Sequence, residues 1–124
     1  MTSKTGTVLV TGCNRGIGLE FVKQYLLLNW EVIATCRKPE KADALIRLSD
    51  GNPNLILHTL DITNESSVDG FLKEIGDWPI DLLINNAAYL GSPDPQKFGQ
   101  IDYQMFTRSF EVNAIGPIRV TEKL

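Results

Sequence analysis

The sequence predicts an α/β fold, a doubly wound parallel sheet with helices on both faces. Two observations carry this. Short apolar, strand-like segments alternate with segments of helical periodicity along the whole chain, with no internal repeat and no low-complexity segment between them. A glycine-rich turn, Thr11-Gly12-Cys13-Asn14-Arg15-Gly16-Ile17-Gly18, stands where the first strand passes into the first helix. The 124 residues fit one domain, and a hydrophobic content of 43% can build its core.

Residues 7–11 form the first strand, with Val8, Leu9 and Val10 as its apolar run. The first helix runs roughly from Gly16 to Asn29, on a stripe of Ile17, Phe21, Tyr25 and Leu28 widened by Val22 and Leu26. Glu31 to Cys36 is a second strand. Pro39 suits the first turn of a second helix, with Ala42, Leu45, Ile46 and Leu48 facing inward. Gly51-Asn52-Pro53 is a turn, and Asn54 to Leu60 is a third strand. Thr63 or Asn64 caps a third helix, whose Val68, Phe71, Leu72 and Ile75 repeat at helical spacing. Ile80 to Asn85 is a fourth strand, 88–100 is a loop rich in Gly, Pro and Ser, and a final helix starts near Asp102. The expected strand order is 3-2-1-4, the first half of a Rossmann-type sheet. Its ligand crevice lies where strands 1 and 4 diverge, beyond their carboxyl ends.

The bulk numbers remove several function classes. A net charge of −3 argues against non-specific nucleic-acid binding. No apolar run is long enough to span a membrane, and the short polar stretch before residue 7 lacks the apolar centre of a secretory signal. A cytoplasmic location follows by default. Cys13 and Cys36 fit no zinc spacing and no disulfide framework, so free thiols and no metal are expected. Both stand at strand ends and so close to each other. His58 falls within a strand and reads as structural.

The chemistry gathers at the strand ends. Gly12, Gly16 and Gly18 let the backbone turn sharply and approach a ligand, while the following helix aims free N–H groups at the same spot. In an α/β protein the usual anion there is a pyrophosphate. A protein that prefers NAD(H) usually places an acid at the end of strand 2. That position is Cys36, followed by Arg37 and Lys38. Arg37, with Arg15 from the glycine loop, can pair with a 2′-phosphate. The missing acid and the two cations favour NADP(H) over NAD(H). Asp61 can accept a bond from an adenine amino group or serve the start of the third helix. In Asn85-Asn86-Ala87-Ala88 the amides can tie neighbouring loops together, and the small alanines leave room for a ring or a ribose. Asn113 lies four residues before Pro117. With no N–H on Pro117, the helical bond to the Asn113 carbonyl cannot form, so the helix should kink and free that carbonyl for another partner.

With these motifs in place, the chain resembles the N-terminal half of a short-chain dehydrogenase/reductase, from residue 7 to 124. Thr11 to Gly18 matches the family's T-G-x-x-x-G-I-G fingerprint, and Asp61 its adenine-contacting acid. Asn85-Asn86-Ala87-Ala88 matches N-N-A-G with Ala88 in place of glycine. The form of the loop, with Thr35-Cys36-Arg37, is similar to the carbonyl-reductase-like branch that includes the sniffer and C-factor proteins. The resemblance implies cofactor contacts at Gly12, Asn14, Arg15, Gly16, Ile17, Gly18, Cys36, Arg37, Asp61, Ile62, Asn86, Ala87, Ala88 and Val112. It also implies a catalytic part for Asn113, whose backbone carbonyl would hold a water in the family's proton relay.

The same resemblance implies hydride transfer between a nicotinamide and a carbonyl or alcohol substrate. The family's chemistry needs a serine and a Y-x-x-x-K pair. Four residues after Tyr25, Tyr89 and Tyr103 stand Asn29, Pro93 and Thr107, none of them lysine. The chain is therefore expected to be inactive alone, as the cofactor half of an NADP(H)-dependent carbonyl reductase. The alternatives are a nucleotide-binding or interaction module without catalysis, and an atypical relative acting on nucleotide-sugars. Self-association is expected through the last helix, which carries Met105, Phe106, Phe110 and Ile115, or through the open edge of strand 4.

Overall fold

The computed structural model describes residues 5–91 and 96–124; residues 92–95 of the expected 88–100 loop lie outside the described residues. Four parallel strands, β1 (Thr7–Thr11), β2 (Glu31–Cys36), β3 (Leu55–Thr59) and β4 (Leu82–Ile84), form one sheet in the expected order β3-β2-β1-β4. Val8 pairs with Val32 on one side of β1 and with Leu82 on the other, so β1 is central. Its five residues are all buried, as a parallel strand covered on both faces requires.

Strand alternation divides the core in two. Val8, Val10, Val32 and Ala34 face one side, where α1 (Gly16–Leu27) and α2 (Asp43–Asp50) contribute Val22 and Leu45. Leu9 and Ile33 face the other. There α3 (Glu65–Ile75) brings Val68, Phe71 and Ile75, and the last helix brings Val112 and Val120. Each face is sealed by helices that follow different strands, the doubly wound arrangement.

Several boundaries differ from the sequence expectation, for local reasons. Helix α1 ends at Leu27, because Asn29 takes a positive φ of 62° that no helix continues. Its buried side carries Gly18 and Val22, with Phe21, Tyr25 and Leu26 half-buried. Ile17 is 71% exposed and Leu28 is exposed too. The helix is thus turned from the expected stripe so that its glycine, not Ile17, meets the sheet. Pro39 opens a 3₁₀ turn, Pro39–Lys41, and α2 begins only at Asp43 after Ala42, whose ψ of 74° breaks the helix. Of the two candidate caps for α3, Asn64 does the work: its Oδ1 accepts the Ser67 N–H at 2.9 Å.

The last helix is continuous over 103–123 but not uniform. Asp102 caps α4 (Tyr103–Phe110) by accepting the Met105 N–H at 3.1 Å. A π-helical segment, Glu111–Ile115, follows and passes into α5 (Gly116–Lys123). The expected disturbance from Pro117 takes this form. The proline cannot donate to Asn113, and just before it the ladder lengthens, with the Gly116 N–H reaching back to the Glu111 carbonyl.

Candidate functional site

The glycine loop leaves the centre of the sheet between β1 and α1. Gly12 has φ of 69°, and a Cβ there would stand 2.7 Å from the Ala87 Cα. Gly18 is tighter still. A Cβ on it would collide with the Gly12 carbonyl oxygen and stand 2.5 Å from Asn86 Nδ2. The backbones of β1, α1 and the segment after β4 therefore meet at a distance that only glycine permits. Gly16 differs: φ is 61°, and nothing lies within 4 Å of its would-be Cβ. Gly16 is itself the first residue of α1. The helix has no side-chain cap and no acidic residue in its first turn, so its first N–H groups are available to an anion. Asn14, Arg15, Gly16 and Ile17 are exposed around it.

The end of β2 lies alongside. The Cys13 N–H donates to the Thr35 carbonyl at 3.0 Å, which continues the β1–β2 pairing past the strand and sets the glycine loop beside Cys36-Arg37. Arg37 and Lys38 are exposed, while Cys36 is buried with its side chain in the core. Any ligand contact at position 36 is thus made by backbone. Both cysteines are free thiols. Cys13 Sγ donates to the Val10 carbonyl at 3.0 Å, and burial pushes its pKa up to about 12. Burial raises Cys36 as well. Both thiols are therefore neutral near pH 7, and Cys36 is among the groups that bear on Cys13, as their strand-end positions led one to expect.

Beyond β3, Asp61 Oδ1 accepts from the Thr63 N–H at 3.0 Å and the Thr63 hydroxyl at 2.7 Å. The Asp61 N–H donates to Ser67 Oγ at 2.9 Å. This carboxylate shapes the start of α3, and both of these bonds fall on one of its two oxygens. Ile62 is buried against the last helix and Val112 is buried in the core under it, so any ligand contact at these two positions is made by backbone.

Beyond β4, Thr11 does what the sequence did not reveal. Its buried Oγ1 accepts both the Asn86 and the Ala87 N–H, each at 3.0 Å. Asn86 Nδ2 donates to the Gly12 carbonyl at 3.1 Å, and Asn85 Nδ2 donates to Thr121 Oγ1 at 3.1 Å. The expected tie between loops is present, with Asn86 propping the glycine loop from beneath. Ala88 is exposed and has no positive φ, so alanine stands there without backbone strain.

The side chain of Asn113 clamps the same segment. Its Oδ1 accepts the Tyr89 N–H at 2.7 Å and its Nδ2 donates to the Tyr89 carbonyl at 2.9 Å. The Arg108 guanidinium lies 5.1 Å from the centre of the Tyr89 ring. The glycine loop, the Arg37 segment, the Asp61 turn and the Asn86–Tyr89 segment thus each follow the carboxyl end of a strand of the 3-2-1-4 sheet, the side on which a switch-point site is expected. His58 stands apart, with Nδ1 2.9 Å from Glu74 and its ring edge-on to Phe71, a packing role. Among the described residues no group of His, Cys, Asp and Glu is arranged to hold a metal, and no helix is long and apolar enough to cross a membrane.

The frame suits a phosphate-bearing ligand: α1 starts without a side-chain cap or an acid, so its first N–H groups can take an anion, Gly16 leaves open space beside them, and Arg15 and Arg37 are exposed. Comparison with known proteins agrees. The family model for short chain dehydrogenase matches residues 6–124. The chain is 37% identical over 120 residues to the uncharacterized oxidoreductase YusZ of Bacillus subtilis, covering 92% of this chain and 41% of that protein. It is 33% identical over 115 residues to human L-xylulose reductase, covering 93% and 44%. The crystal structure of NADPH-bound carbonyl reductase from chicken fatty liver superposes with a TM-score of 0.83 at 34% identity, over 94% of this chain and 45% of that one. The chain spans less than half the length of these proteins.

Proposed function

Because the chain belongs to the short-chain dehydrogenase family, we propose that it is the cofactor-binding part of an NADP(H)-dependent oxidoreductase acting on a carbonyl or alcohol, in the carbonyl-reductase branch. The observation that carries this is the contact of Gly18 with the Gly12 carbonyl and Asn86, beside two exposed arginines. It builds an anion cradle at the switch point, with no carboxylate at the end of β2.

In this reading the loop N–H groups from Asn14 to Gly18 bind the pyrophosphate. Arg15 and Arg37 hold the 2′-phosphate, where charge-assisted bonds are strong. Asp61 receives the adenine amino group, with backbone from Cys36 and Ile62 beside the base. Asn86, Ala87, Ala88 and Val112 line the ribose and ring side. When bound, the nicotinamide supplies hydride transfer to or from the carbonyl carbon. Asn113 orients the Asn86–Tyr89 segment with its side chain and offers its Pro117-freed carbonyl to a water on the proton path. No tyrosine in the chain has a lysine four residues on, so these residues bind the cofactor and leave protonation of the substrate oxygen to groups they do not include.

Titration calorimetry of the chain with NADPH and NADH tests the proposal. NADPH should bind more tightly by about tenfold or more, the scale of one charge-assisted phosphate contact. Equal affinity would remove the cofactor assignment, and binding of neither would remove the site.

A further inference from the structure

We propose that Arg119 is a positioning residue for the adenine side of the cofactor, by fastening the Asp61–Ile62 turn to the last helix. The inference rests on the NADP(H) reading above. Arg119 touches none of the residues assigned to the phosphates. Its Nη1 donates to the Ile62 carbonyl at 2.7 Å, and its Nη2 reaches Glu111 Oε1 at 3.2 Å. Its side chain is mostly buried. One helical turn away, Gly116 lies against Ile62, where a Cβ would stand 2.7 Å from Ile62 Cδ1. The turn is therefore gripped twice from one helix, by its side chain on Gly116 and by its carbonyl on Arg119.

The Thr63 N–H and hydroxyl set the direction of the Asp61 carboxylate. The turn is tied to β2 by the Leu60 N–H on the Cys36 carbonyl and to α3 by the Asp61 N–H on Ser67, and the contacts of Arg119 and Gly116 fix its Ile62 end. Glu111, which holds the other end of the guanidinium, opens the π-helical segment that carries Asn113. The fork of arginine suits this double task, and lysine can satisfy only one end of it.

The test measures two ligands on the full chain: adenosine 2′,5′-bisphosphate, which reports on the adenine side, and inorganic pyrophosphate, which reports on the glycine loop. R119M should weaken the bisphosphate about tenfold, the scale of one buried charge-assisted bond, and leave pyrophosphate unchanged. R119K should recover part of the loss, to about threefold. It also serves where R119M does not fold. An equal loss for both ligands would show a merely structural role and overturn the proposal, as would parent-like affinity for the bisphosphate in R119K and R119M. A parent chain that binds pyrophosphate but not the bisphosphate would overturn the NADP(H) reading itself, and with it the role of Arg119.

Discussion

Replacing Gly18 with alanine should damage both fold and cofactor binding, although the added group is one methyl and the site is helical. The new Cβ would collide with the Gly12 carbonyl oxygen and approach Asn86 Nδ2 to 2.5 Å. Neither neighbour can yield cheaply. The Gly12 oxygen is backbone, and it accepts the Asn86 amide at 3.1 Å, while Asn86 is itself pinned through its N–H to Thr11. Relieving the clash breaks the hydrogen bond from Asn86 Nδ2 to the Gly12 carbonyl, at about 1 kcal/mol, and shifts packed backbone, at about 1–3 kcal/mol. Alanine returns up to about 1 kcal/mol through helix propensity. The net loss is therefore about 1–4 kcal/mol. Urea unfolding followed by far-UV dichroism measures it, with NADPH calorimetry alongside.

Gly16→Ala supplies the control. Nothing lies within 4 Å of its Cβ, so its cost is the positive φ of 61° alone, about 1–2 kcal/mol, with no break in the Asn86 tie. An unchanged urea midpoint and unchanged affinity in Gly18→Ala would refute the packing argument. A loss of the Asn86 side-chain amide's protection only in Gly18→Ala, seen by nuclear magnetic resonance, would support it.

Other consequences are as direct. Thr11→Val keeps the shape but strips the acceptor shared by the Asn86 and Ala87 N–H groups, so stability should fall by about 2–4 kcal/mol in the same urea assay, and a Thr11→Ser variant should fall much less. Arg37→Asp should move preference from NADPH toward NADH, and calorimetry showing the two cofactors unchanged in order would count against the 2′-phosphate role. Cys13, with its folded pKa near 12 against an ordinary 9.0, contributes stability that is fully present below pH 9 and lost as pH rises toward 12, because the unfolded thiol releases its proton first. Urea midpoints at pH 8 and pH 10.5 should therefore drop in the parent and drop less in Cys13→Ala. Phe106 and Phe110 are 63% and 60% exposed on α4; light scattering should find the parent self-associated and a Phe106→Ser, Phe110→Ser double variant less so, and a monodisperse parent monomer would dismiss this surface as an interface.

The order of elements was legible in the chain because strand and helix formation depend on near neighbours. Val8-Leu9-Val10 and Val32-Ile33-Ala34 read as buried strands from composition alone. The caps at Asn64 and Asp102 act over three residues, and the loss of a helical bond at Pro117 is a property of proline wherever it stands. The 3-2-1-4 order followed from that alternation.

Tertiary contact decided the rest. The face of α1 that is buried was chosen by Gly18 against the Gly12 carbonyl, not by the strongest apolar stripe. Asn86 and Thr11 are 75 residues apart, Asn113 grips Tyr89 across 24, and Arg119 reaches Ile62 across 57. Composition and periodicity hold no trace of such pairs. The local chain sets the conformations open to each segment, while a hydrogen bond or a close glycine contact exists only when packing brings two distant backbones to a few ångströms.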